Sequence, residues 1–90
     1  MLIAFFAHDK PGALPVRQAN RAAHVEYLKA SDAVVQAGPL LNAEGEMAGS
    51  LVILDVQDMA AAESWAKEDP YAKADLFADT ELVIWNRVIG

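Results

Sequence analysis

Three side chains in the stretch LPVRQANRAAHVEYLKA are of kinds that move protons and hold anions: Arg17, Arg21 and His24. A histidine titrates near neutral pH and can take up and return a proton. A guanidinium offers a rigid fork of donors to an oxyanion. The stretch from Leu14 to Ala30 is rich in helix formers. At 100° per residue, Leu14, Val25 and Leu28 fall within roughly 40° of one direction, the expected core face. Arg21 lies on that same face, with Arg17 and His24 on its flank, while the opposite face is mostly Ala19, Ala22, Ala23, Glu26 and Ala30. This inverts an ordinary amphipathic helix. Charges turned toward a sheet need partners, and the acids able to reach inward are Asp9, Asp69 and Asp75. The plainer alternatives are arginines that snorkel at the helix edge and a hydrogen-bonded core histidine.

Other chemistries lack their residues. There is no cysteine, hence no disulfide, thiolate nucleophile or zinc–thiolate site. His8 and His24 with the scattered acids match no metal spacing such as HExxH, and nucleotide-binding motifs are absent, so neither metal nor cofactor is expected. No serine lies in a nucleophile elbow. Ser50 reads as a hydrogen-bonding pocket residue or a structural one. Tyr71 could hydrogen-bond a ligand, although a tyrosine beside a proline turn readily packs on a neighbouring helix. Trp65 and Trp85 read as core or dimer-interface aromatics.

The elements that must position these groups follow from pattern. Leu2 to Ala7 reads as a strand closed by the turn His8-Asp9-Lys10-Pro11-Gly12. After the first helix, Ala33 to Leu41 reads as a second strand, Asn42 to Gly49 as a polar connection, and Ser50 to Val56 as the clearest strand. Asp58 is placed to cap a second helix running to about residue 67. Asp69 and Pro70 suit the cap and first position of one more helical turn. Phe77 to Val88 reads as a last strand. The order β-α-β-β-α-β predicts an α+β fold, a four-stranded antiparallel sheet with both helices on one face.

Ninety residues make one domain. The apolar fraction of 54% includes 18 alanines, so the core of a single copy would be modest. A net charge of −6 argues against nucleic acid or an anionic membrane as partner. The start, MLIAFFAHDK, has neither a basic leader nor a long apolar run, and no segment approaches the ~20 apolar residues of a span. A cytoplasmic location is the expectation. Leu51 to Leu54 and Leu82 to Trp85 are apolar on both faces of their strands. Helices cover only one face, so a homodimer packed sheet to sheet is expected.

These pieces together resemble the YciI-like (YCII-related) family. The resemblance rests on LIAFFAHDKPG at the start, Arg17, Arg21-Ala22-Ala23-His24, Leu28, Ala37-Gly38-Pro39, Gly49-Ser50 and Asp69-Pro70-Tyr71. It implies a ferredoxin-like fold in a dimeric α+β barrel and a site built on His24 and Asp69. Family relatives include a dehydrochlorinase acting on chlorinated hydroxyquinols, and muconolactone isomerases share the fold. One departure stands out: after Asp-Pro-Tyr the family often has Ala-Gly, whereas Ala74 is followed here by Asp75. That puts the shape and charge of the neighbouring wall in question.

The sequence therefore points to a cofactor-independent lyase or isomerase type of proton transfer on a small cyclic or hydroxylated organic substrate. His24 would be acid or base, Asp69 its orienting partner, and Arg17, Arg21, Ser50 and Tyr71 substrate contacts. The competing reading is a non-catalytic homodimer that binds a small molecule or serves as an accessory protein. In either case the ligand expected is a small organic one, and Arg17 or Arg21 would suit an anionic oxygen on it.

Overall fold

A computed structural model describes the chain from Met1 to Gly90. Four strands, β1 (Leu2–Asp9), β2 (Val34–Leu41), β3 (Met47–Asp55) and β4 (Phe77–Ile84), form one sheet in the order β2-β3-β1-β4. Every neighbouring pair is antiparallel. The helices are α1 (Leu14–Ala30), α2 (Met59–Glu68) and the single turn α3 (Pro70–Lys73). This is the α+β arrangement that the order of elements predicts and the ferredoxin-like fold that the family resemblance implies.

Alternation along the two central strands separates the sheet's faces. Ile3, Phe5 and Ala7 of β1, with Ser50, Val52 and Leu54 of β3, are buried beneath the helices. Trp65 of α2 closes this core, its ring 6.1 Å from that of Phe5 in an edge-to-face arrangement. The two long helices are tied across it. Tyr27 Oη donates to the Trp65 carbonyl at 2.7 Å, and Trp65 Nε1 donates to Ser31 Oγ at 3.1 Å. Asp58 caps α2 as expected, accepting from the Ala61 amide at 2.9 Å.

Some boundaries differ from the sequence reading for topological reasons. β4 ends at Ile84 rather than Val88, because its partner runs out: Ile84 pairs with Ile3, Trp85 N donates to the Leu2 carbonyl, and β1 begins there. β3 begins at Met47 rather than Ser50, since Leu41 and Met47 already pair across the hairpin. The Asn42 side chain closes that turn, accepting from the amides of Glu44 and Glu46. Pro39, which lacks an N–H, is tolerated because β2 is an edge strand.

The opposite face of the sheet carries Ala4, Phe6, Leu51, Ile53, Val83 and Trp85, and no helix covers it. No helix is long and apolar enough to cross a membrane.

Candidate functional site

The face of α1 that meets the sheet is the charged one. Its buried residues are Arg17 and His24, 2% and 6% exposed. They stand seven residues apart, two turns along one stripe. Leu14, Val25 and Leu28, expected as the core face, are only half-buried, and Arg21 is exposed. The helix is thus rotated from the orientation the apolar positions suggest, because polar partners wait beneath it.

Arg17 is held by three bonds. Its Nε donates to Asp9 Oδ2 at 2.6 Å, and its Nη2 donates to Asp9 Oδ1 at 3.1 Å and to Ser50 Oγ at 2.8 Å. Asp9, expected in a turn, is instead the last residue of β1, and its side chain is buried past a register shift between His8 and Asp9. Ser50 faces inward in alternation with Val52 and Leu54 of β3. Gly49 makes this possible, since a Cβ there would collide with the Ala7 carbonyl. Burying an ion pair costs desolvation that good geometry must offset, and removing one partner of such a pair costs about 3–5 kcal/mol. Nη1 takes part in none of these three bonds.

His24 is held by Asp69 across 45 residues of chain, Nδ1 to Oδ1 at 2.8 Å. An ionised carboxylate has no proton to give, so Nδ1 carries the hydrogen and Nε2 is left as the free nitrogen of the neutral ring. The same Oδ1 accepts from the Tyr71 amide at 3.0 Å, the capping bond that opens α3. Asp69 is fully buried, and its Oδ2 has no hydrogen-bond partner.

Tyr71 links the two halves. Its ring stacks on the His24 imidazole, centroids 3.9 Å apart and planes within 15°, and the Arg17 guanidinium carbon lies 4.5 Å from its centroid. Burial pushes the phenol pKa up; the charges of Arg17 and Arg21 oppose that and Asp69 adds to it. The hydroxyl therefore stays protonated at neutral pH. The sequence allowed Tyr71 either packing or a ligand contact, and its position serves both.

These groups line a cavity of about 260 Å³ between α1 and the β2–β3 hairpin. Arg17, His24, Ser50 and Tyr71 supply its polar wall, Val25, Leu28, Met47 and Val52 much of its apolar wall, and Arg21 and Lys29 its exposed cations. A cavity of ~150 Å³ holds benzene, so this one accommodates a single substituted ring. No group of three or more His, Cys, Asp or Glu side chains converges as a metal ion would need.

The structure brings Arg17, His24, Ser50, Asp69 and Tyr71 together and places Arg21 at their edge. Asp75 is elsewhere. Its side chain is 87% exposed and pairs with Lys10 at 2.6 Å, outside the cavity wall. The departure at this position concerns backbone instead: Asp75 has φ 57, the left-handed region that glycine occupies freely. Sequence reasoning did not place Asp9 or Lys29 in the site. Asp9 reads there only as an acid able to reach inward, because the strand reading ends at Ala7; Lys29 lies one turn beyond Val25 on α1.

The chain is similar to several known proteins in sequence and in fold. The model of the YCII-related domain matches residues 1–86. An uncharacterized protein of Haemophilus influenzae is 35% identical, with 88% of this chain and 90% of the relative covered. Protein YciI of Escherichia coli is 28% identical, over 98% of this chain and 99% of its own. Among solved structures, the 5-chloro-2-hydroxyhydroquinone dehydrochlorinase of Burkholderia phenoliruptrix, in complex with 2,5-dihydroxybenzoquinone, superposes with a TM-score of 0.89 at 36% identity, covering 96% of this chain and 94% of that one. An antibiotic biosynthesis monooxygenase shares the fold alone, at 14% identity and a TM-score of 0.61, over 99% and 100% of the two chains.

Proposed function

The chain belongs to the YCII-related domain family, and from that premise we propose that it is a cofactor-independent enzyme catalysing proton transfer of the lyase or isomerase type on a small hydroxylated ring. The observation that carries this reading is the buried His24–Asp69 hydrogen bond of 2.8 Å in the wall of a ring-sized cavity. A dehydrochlorinase 36% identical to the chain, bound to a dihydroxylated quinone, supports the substrate class.

In this account Nε2 of His24 takes a proton from a ring hydroxyl or an activated C–H. Asp69 stabilises the imidazolium that forms and keeps the ring from turning. Tyr71 stacks on the imidazole and fixes its plane. Electron density left on the substrate oxygen faces Arg17 Nη1 and the hydroxyls of Ser50 and Tyr71. The step then ends in one of two ways. The proton returns to another atom, giving an isomer, or a leaving group departs with its electron pair, giving elimination. General acid–base catalysis of this kind contributes ~10²–10⁴-fold.

The uncovered sheet face is assigned to a second copy of the chain. Six apolar side chains lie there together, and single folded chains seldom leave such patches in water.

The test is a turnover screen against chlorinated and unchlorinated hydroxyhydroquinones and small lactones, following chloride release and ring absorbance. Turnover of a hydroxylated ring is expected. Saturable binding of the same compounds with no turnover would contradict the catalytic reading and favour a receptor.

A further inference from the structure

The cavity is electrically opposite to the protein that contains it. The chain carries a net charge of −6, yet no Asp or Glu lines the cavity, which holds Arg17, Arg21, His24 and Lys29. Two of these are matched internally, Arg17 by Asp9 and His24 by Asp69. Arg21 and Lys29 join none of the chain's ion pairs. Their charge therefore remains for whatever enters.

Helical spacing orders them. Arg17, His24 and Leu28 form the deep stripe of α1. Arg21, Val25 and Lys29, at i, i+4 and i+8, form a parallel stripe along the mouth, with the two cations ~12 Å apart along the axis. Arg21's charge reaches inward, since it opposes the effect of burial on the Tyr71 phenol. Facing α1, the sheet side of the cavity is largely apolar, with Ala37, Pro39, Met47 and Val52.

We infer that this cavity selects a single-ring organic acid, with a permanently ionised carboxylate at the Arg21–Lys29 mouth and the reacting oxygen end at His24. This rests on reading the cavity as the substrate site. It adds that Arg17, whose Nε and Nη2 are committed to Asp9 and Ser50 and whose charge Asp9 matches, has only Nη1 to offer the reacting oxygen. Discrimination by charge then belongs to the exposed pair. Arg21 and Lys29 stay solvated without a ligand, so they add selectivity at little cost to folding.

The experiment is equilibrium binding by calorimetry of two probes with the same ring and hydroxyls, 2,5-dihydroxybenzoate and its methyl ester. Each is measured against the wild-type chain and Arg21→Gln/Lys29→Gln at low salt. The acid is expected to bind ~10-fold or more tighter than the ester, about 1.4 kcal/mol, since only the acid carries a charge for the two cations. In the double variant the preference should fall to about twofold or less, and ~0.2 M salt should weaken the acid alone. Equal affinity for acid and ester, undetectable binding of the acid, or a preference that survives in the double variant would each overturn the inference. His24→Gln should retain the preference. An anion preference in a wild-type protein without turnover would sink the catalytic reading while sustaining this one.

Discussion

Asp69 uses a single oxygen for two tasks: Oδ1 accepts the Tyr71 amide that opens α3 and the Nδ1 hydrogen of His24, at 3.0 and 2.8 Å. The capping bond fixes the carboxylate at the start of a rigid proline turn. The imidazole is therefore aimed by a group that cannot itself rotate away. Local punctuation and site geometry are one feature here.

Asp69→Asn keeps the shape of this arrangement and removes its charge. Neutral His24 should be the Nδ1–H tautomer in the wild type and a mixture in the variant, read from nitrogen NMR of the ring. On any substrate turned over, kcat should fall ~10²–10⁴-fold with KM little changed, because the stabilised imidazolium is lost while the binding wall is kept. A variant with wild-type kcat would show that the charge is idle.

Asp75 holds a left-handed backbone without a glycine's freedom. Its exposed pair with Lys10 offsets little of that strain. Asp75→Gly should stabilise the fold by about 0.5–1 kcal/mol, measured as a raised urea midpoint at unchanged slope. A lowered midpoint would mean that the Lys10 contact outweighs the backbone.

Both tyrosines have phenol pKa values raised chiefly by burial. The folded chain then keeps protons that the unfolded chain gives up. Stability from this source is whole below the unfolded value of about 10 and is lost as pH rises toward the folded values. The urea midpoint should decline above about pH 10, and tyrosinate absorbance of the native protein should appear later than that of the unfolded chain. Coincident titrations would contradict the burial of these phenols.

Leu51 sits on β3 among the apolar residues of the uncovered face. Leu51→Glu places a charge there, so sedimentation should report a dimer for the wild type and a monomer for the variant at micromolar concentration. Monomeric wild-type protein would remove the second copy from the account.

Legibility in the sequence followed the range of the forces involved. Asp9 was visible as an acid able to reach inward, though it reads as part of a turn, Ser50 as a pocket or structural residue, and Asp58 as the cap of α2. The rotation of α1 was not legible from its apolar residues. Leu14, Val25 and Leu28 suggest one core face, but the side chains driven deepest are Arg17 and His24. What turns the helix is the Tyr71 ring lying against both, together with Asp9, Ser50 and Asp69 below. Those contacts join residues 8 to 54 positions apart, beyond any local periodicity. The pairing of His24 with Asp69 came from the family pattern rather than from spacing. The end of β4 depended on where β1 begins, which is topology.

The most direct test of the central claim is kcat/KM for wild type and His24→Gln on a hydroxylated ring substrate, with circular dichroism to show that the variant is folded. A loss of ~10²-fold or more, borne by kcat, is expected, because glutamine fills the space without exchanging a proton at neutral pH. A folded His24→Gln within about threefold of wild type would contradict the claim.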